Sequence, residues 1–231
     1  MNMLAQAGKQ LREVRRRFGD PKHYVKTDET SGQLQFELLT REGCTPSSKV
    51  LELGCGCLHL ATPLVQYLDS ESYVGVDPNE WLRKKAYKNE AVKALMVEKK
   101  VQFTCADNFD ASELGMKFDF AFSHSVLSHV AHWQLKQFLE NVSRVLVPQG
   151  KILSSIRLAD GNAFGSTGTP DGKDSRHEEW QYPGVSWFTM KTVQEFSLQH
   201  GLEATRNPEY TEFYTKTRPG EFHDWVVFRK Q

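Results

Sequence analysis

No apolar run in the 231 residues approaches the roughly 18 positions that a membrane-spanning helix requires, so insertion through a helix is excluded. Charge of one sign is missing too, since 29 basic residues balance 29 acidic ones. Proteins that track nucleic-acid phosphates usually carry a basic surplus, so nucleic acid is set aside as a partner and a small or neutral substrate is expected. Cysteine is scarce. Cys44, Cys55, Cys57 and Cys105 form no disulfide framework, and reduced thiols in a cytoplasmic protein follow. Met1 to Asp20 lacks the apolar centre of a secretory signal and reads as a surface helix, with an organellar transit peptide as the alternative. Repeats and low-complexity tracts are absent.

What is present suits a folded chain, with 39% hydrophobic and 25% charged residues. The length fits one domain, residues 1–231, with residues 1–30 as a helical cap and linker, acting as monomer or homodimer. Apolar, β-branched runs alternate with segments of helical period, the pattern of a mainly parallel sheet with helices on both faces. Strands are expected at 49–53, 73–76, 101–105, 118–122, 151–157, 202–206 and 222–228, and helices at 3–17, 33–41, 58–67, 80–98, 133–146 and 189–200. Pro148-Gln149-Gly150 should turn the chain from helix to strand. Only residues 159–184 break the alternation; their glycines surround Trp180 and Tyr182, and a lid loop inserted in the domain is expected there.

Val50-Leu51-Glu52-Leu53-Gly54-Cys55-Gly56 is a buried strand ending in two glycines before a helix. Such a turn lets a ligand approach the backbone while the helix presents free N–H groups. Tyr73 to Val76 is a second strand ending in Asp77, whose carboxylate can accept both hydroxyls of a ribose or cap the following helix. A dinucleotide reading needs a third glycine, yet His59 stands there, and Glu52 beside the turn would repel a pyrophosphate while suiting a cationic ammonium.

These residues resemble the class I S-adenosylmethionine-dependent methyltransferases of small-molecule type. Val50 to Gly56 looks like their first motif and Tyr73 to Pro78 like their second. Thr104 to Asp107 is similar to the third-strand acid, and Phe118 to His124 to the fourth-strand motif. Arg144 to Leu153 and His223 to Lys230 resemble the elements that complete the sheet, with Gln149 where glycine is usual. The resemblance implies a single Rossmann-like domain with seven strands, the last antiparallel, binding S-adenosyl-L-methionine as cofactor at the carboxyl ends of the strands.

The resemblance also assigns roles. Gly54, Cys55 and Gly56 would meet the methionine part and Glu52 its ammonium; Asp77 would hold the ribose; Pro78 and Trp81 would flank adenine; Asp107 and Asn108 would read its edge; Ser123 would complete the cofactor site. His129 and His124 are the candidate catalytic bases for an acceptor that must lose a proton, while His132 is read as a loop residue. Tyr24, His177, Trp180 and Trp187 are the candidate lining of the small-molecule acceptor pocket. The histidines with Cys55 or Cys57 fit no zinc spacing, so no metal is expected. The rival readings are a non-catalytic nucleotide-binding or scaffold protein that keeps the fold, and a nucleotide-dependent oxidoreductase.

Overall fold

The computed structural model describes residues 28–166, 185–221 and 223–231. Tyr24, His177, Trp180, the N-terminal cap to residue 27 and most of the expected lid lie outside them.

The first strand, β1 (Val50–Leu53), is buried at every position. Its neighbours are β2 (Tyr73–Val76), equally buried, then β3 (Gln102–Thr104) at one edge, and β4 (Phe118–Ser123) and β5 (Leu146–Ile156) on the other side. These five run parallel. β8 (Leu202–Arg206) and β9 (Asp224–Lys230) complete the order β3-β2-β1-β4-β5-β9-β8, and β9 is antiparallel to both its neighbours. A hydrophobic core lies on each side of this sheet, which is why its central strands read as continuous apolar runs.

Helices α1 (Glu29–Arg41), α2 (Ala61–Tyr67), α3 (Glu80–Ala86), α4 (Glu90–Glu98), α5 (His132–Val145), α6 (Met190–Leu198) and α7 (Pro208–Thr217) cover the faces. The helix expected over 80–98 is two helices, because Asn89 accepts the Ala91 N–H at 3.0 Å and restarts the chain as an N-cap. The helix α7 was not expected, although Asn207 caps it, Pro208 occupies its first turn, and Tyr210 and Tyr214 are spaced to bury one face. The turn expected at Pro148-Gln149-Gly150 is an irregularity within β5: Gln149 takes φ +63° there and the register against β4 shifts. The two described flanks of the long irregular segment pair as a ribbon, β6 (Ala163–Ser166) with β7 (Val185–Trp187). Phe188 N–H donates to Arg157 O at 2.9 Å and fastens that ribbon to the end of β5.

Candidate functional site

The parallel strands end together, and the loops leaving β1, β2 and β4 converge at that edge. Gly54 turns the chain at φ +80°, donating to Val76 O at 2.7 Å, and a Cβ there would lie 2.4 Å from Val126 Cγ2 in the loop after β4. Glycine is therefore required both by the backbone angle and by the approach of a neighbouring loop. The Gly56 N–H donates to Asp77 Oδ2 at 2.9 Å, and the Asn79 N–H to Asp77 Oδ1 at 2.7 Å. Asp77 thus ties the glycine turn to the start of the next segment, while the N-cap position of α3 is Asn79. A carboxylate has about four lone-pair directions, so both bonds leave acceptor capacity for a ligand's hydroxyls.

Glu52 lies beneath the same turn, 5% exposed, and accepts the Tyr73 hydroxyl at 2.5 Å. Burial pushes its carboxyl up to about 8, partly opposed by the Tyr73 hydrogen bond and reinforced by the Asp77 charge. A carboxyl protonated in a dry site becomes a strong anion site as soon as a cation arrives beside it. Two acids beside one glycine turn suit a ligand with an ammonium and a ribose diol, and oppose a pyrophosphate. Above the loop, α1 makes close contact: a Cβ on Gly32 would lie 2.1 Å from His59 O.

The other expected cofactor residues are spread along this edge. Trp81 is half-buried and Pro78 exposed at the end of β2; Asp107 and Asn108 are exposed beyond β3. Asn108 Oδ1 accepts the Asp110 N–H at 3.1 Å, and its carbonyl accepts from Asn141 Nδ2 at 2.8 Å, which fixes the turn. The Ser123 hydroxyl is fully buried and pairs with Ser154 Oγ at 2.6 Å, joining β4 to β5.

The expected bases separate by environment. His124 is buried between aromatic rings, with ring centres 5.2 Å from Tyr214 and 5.7 Å from Trp225, and burial pushes it down to about 3, aided by the Arg218 charge. At neutral pH it is an uncharged and weak base. His129 ends a short 3₁₀ turn, Leu127–His129, is half-buried, and lies close enough to His223 to disfavour protonation there. His132 opens α5 and packs edge-on against Phe196, with centres 4.6 Å apart. Trp187 stands on β7, with the Arg157 guanidinium 5.1 Å from its ring centre and a buried Nε1 that has no hydrogen-bond partner among the described residues. The sequence reading missed Glu221 and Tyr214, which lie against His124; His223 and Trp225, also beside it, were quoted only as part of a strand motif.

A family model described as a methyltransferase domain matches residues 51–152. Among solved structures, magnesium protoporphyrin IX methyltransferase from Synechocystis PCC 6803 with bound SAM is 14% identical, covering 96% of this chain and 91% of that one with a TM-score of 0.58. An O-methyltransferase family protein from Burkholderia thailandensis is 12% identical, covering 98% of this chain and 63% of that one with a TM-score of 0.63. The 4+2 cyclase SpnF is 14% identical, covering 87% of this chain and 81% of that one with a TM-score of 0.59. At such identities the likeness to solved structures is one of fold.

Proposed function

We propose that the chain, in which residues 51–152 match a methyltransferase-domain family model, takes S-adenosylmethionine as methyl donor and methylates a small-molecule acceptor. The observation that carries the proposal is the acid pair at the glycine turn, Glu52 buried beneath it and Asp77 holding the Gly56 N–H. Glu52 faces the donor's ammonium, Asp77 takes the ribose hydroxyls, and Gly54 to Gly56 give the backbone room for the methionine part. Trp81 and Asp107 lie where the adenine ring and its edge are met. Bound there, the donor supplies a methyl group activated by its sulfonium.

The acceptor sits at the adjoining ends of β4 and β5, against the loop that carries His129. The protein's task would be chiefly to position the accepting atom against the donor's methyl group, an effect worth up to ~7 to 11 kcal/mol. A hydroxyl or ammonium acceptor also loses a proton, and His129 is the base that receives it. The neutral balance of the chain supports a small acceptor over a nucleic acid.

Calorimetric titration with S-adenosylmethionine, S-adenosylhomocysteine and NAD tests the cofactor half of this reading. The two sulfur ligands should bind, and Asp77→Ala should weaken them by ~1.5 to 3 kcal/mol, roughly tenfold or more. NAD binding alone would refute the reading. The acceptor half is tested by S-adenosylhomocysteine release with small hydroxyl, amine and thiol acceptors. Turnover should fall in His129→Gln with cofactor affinity kept; no release with any acceptor from a protein that binds the donor would indicate a non-catalytic protein instead.

A further inference from the structure

Between α7 and β9, Glu221 and His223 lie against the His124 ring. Three side chains meet there: His124, Glu221 and His223 each offer a ligand atom, and these atoms lie within 4.8 Å of one another. Among the described residues, both ring nitrogens of His124, both of His223, and Glu221 Oε2 are buried without a hydrogen-bond partner. Leaving such groups unpaired is costly, and buried polar groups in folded proteins are almost always satisfied. One such atom from each of the three neighbouring side chains can give an electron pair to a shared acceptor placed among them.

We propose that His124, Glu221 and His223 form a binding site for one divalent transition-metal ion of the zinc type. Two imidazoles and a carboxylate are a recognised zinc ligand set, and imidazole selects against magnesium and calcium, which prefer oxygen. The spacing fits. Bonds of about 2.0 to 2.2 Å in a tetrahedral centre place ligand atoms roughly 3.3 to 3.6 Å apart, and His124 Nε2 is already 3.6 Å from Glu221 Oε2. The widest pair has little more than about 1 Å to close, a side-chain rotation rather than a backbone movement.

The surroundings prepare the ligands. Arg218 Nε donates to Glu221 Oε1 at 2.9 Å, which orients the carboxylate and leaves Oε2 for a single bond to the metal. Burial also keeps both imidazoles in the neutral form that a metal needs. Arg218 and Arg157 are cations near the cluster and moderate the affinity, so a site of about micromolar strength or tighter is expected, weaker than closed structural zinc centres. Three protein ligands leave a fourth position for water or another oxygen, nitrogen or sulfur donor. The inference does not depend on the methyl-transfer reading, since it concerns only what these three side chains bind.

The full chain, treated with chelator and returned to metal-free buffer at pH 7.5, should take up one equivalent of Zn2+ by calorimetry. Co2+ should give the visible absorption of a four- or five-coordinate site with no sulfur-to-cobalt charge-transfer band. Glu221→Gln keeps the shape and the Arg218 contact, and should weaken Zn2+ by at least about tenfold; His124→Gln and His223→Gln should do the same. Thermal unfolding of each metal-free variant identifies any that fail to fold, and Glu221→Gln then decides the matter. No uptake at 100 µM Zn2+, a thiolate band, or affinity unchanged in the folded variants would overturn the proposal.

Discussion

Replacing Glu52 with Gln separates what the buried carboxyl costs the fold from what it gives the ligand. In the folded chain its pKa is about 8, against 4.5 for an exposed glutamate. A carboxyl raised on folding adds stability that is fully present below pH 4.5 and lost as pH rises through 8, because over that window the folded chain holds a proton that the unfolded chain has released. At about 1.4 kcal/mol per unit, the penalty above pH 8 is about 3 to 5 kcal/mol. The amide of Gln is neutral at every pH, and its oxygen can still accept the Tyr73 hydroxyl. Glu52→Gln should therefore melt with wild type at pH 5 and on the order of 10 °C above it at pH 8.5. Scanning calorimetry at pH 5, 7 and 8.5 measures this, and the difference between the chains cancels every other titrating group. Parallel curves for the two proteins would refute the burial argument. The same variant tests the proposed ligand contact: a bound ammonium should drive the Glu52 proton off, so donor binding at pH 7 should release about one proton in wild type and none in Glu52→Gln. That release is read by titration in buffers of different ionisation enthalpy, and its absence from wild type would remove Glu52 from the ammonium site.

Three further outcomes follow from packing. Gly32→Ala should destabilise by roughly 1 to 3 kcal/mol in urea unfolding, despite alanine's better helix propensity, because the added Cβ meets the His59 carbonyl rather than a yielding side chain; a more stable variant would mean α1 does not dock there. Gln149→Gly should stabilise by about 0.5 to 1 kcal/mol in the same assay, because the relief of a side chain at φ +63° is partly offset by glycine's greater freedom in the unfolded chain, and a loss would contradict the backbone described. Among the four cysteines, exposed Cys105 should react first with a disulfide reagent. Cys44, its thiol pushed up to about 11 by burial, and the more strongly raised Cys55 should wait for unfolding; uniform reactivity in the native chain would refute their burial.

The centre of the parallel sheet was legible because β1 and β2 are buried at every position, and β4 at all but one, and each reads as an apolar run. Strands 73–76 and 202–206 fall where periodicity puts them, while β1, β3 and β4 differ by single residues at their ends. The glycine turn after β1 stood out for a related reason: Glu52 is the one acid in a run that burial demands be apolar, and such an exception marks a candidate site. What periodicity could not show was contact between distant segments. The wall around His124 draws on β4, α7 and β9, so no local pattern joins His124 to Glu221 and Tyr214. The helix α7 was hidden by its polar surface, though Asn207-Pro208-Glu209 is a start signal that capping rules recognise.

The chain departs from the family pattern that it resembles at Gln149 and over Cys57-Leu58-His59, where glycine or small residues are common, and the structure gives a physical account of Gln149 and of His59. The His59 backbone is the surface on which α1 rests, and the missing space is supplied from the other partner, where Gly32 brings its own backbone to the His59 carbonyl. The requirement for close approach has moved across the contact rather than vanished. At 149 the chain keeps the left-handed angle that glycine would adopt without cost and places Gln149 in it, while Gly150 takes the crowded neighbouring position, where a Cβ would lie 2.9 Å from Val147 O. With one glycine available for two demands, sterics outrank strain: the clash has no escape, whereas a glutamine at φ +63° costs about 1 to 2 kcal/mol, which a core of this size absorbs.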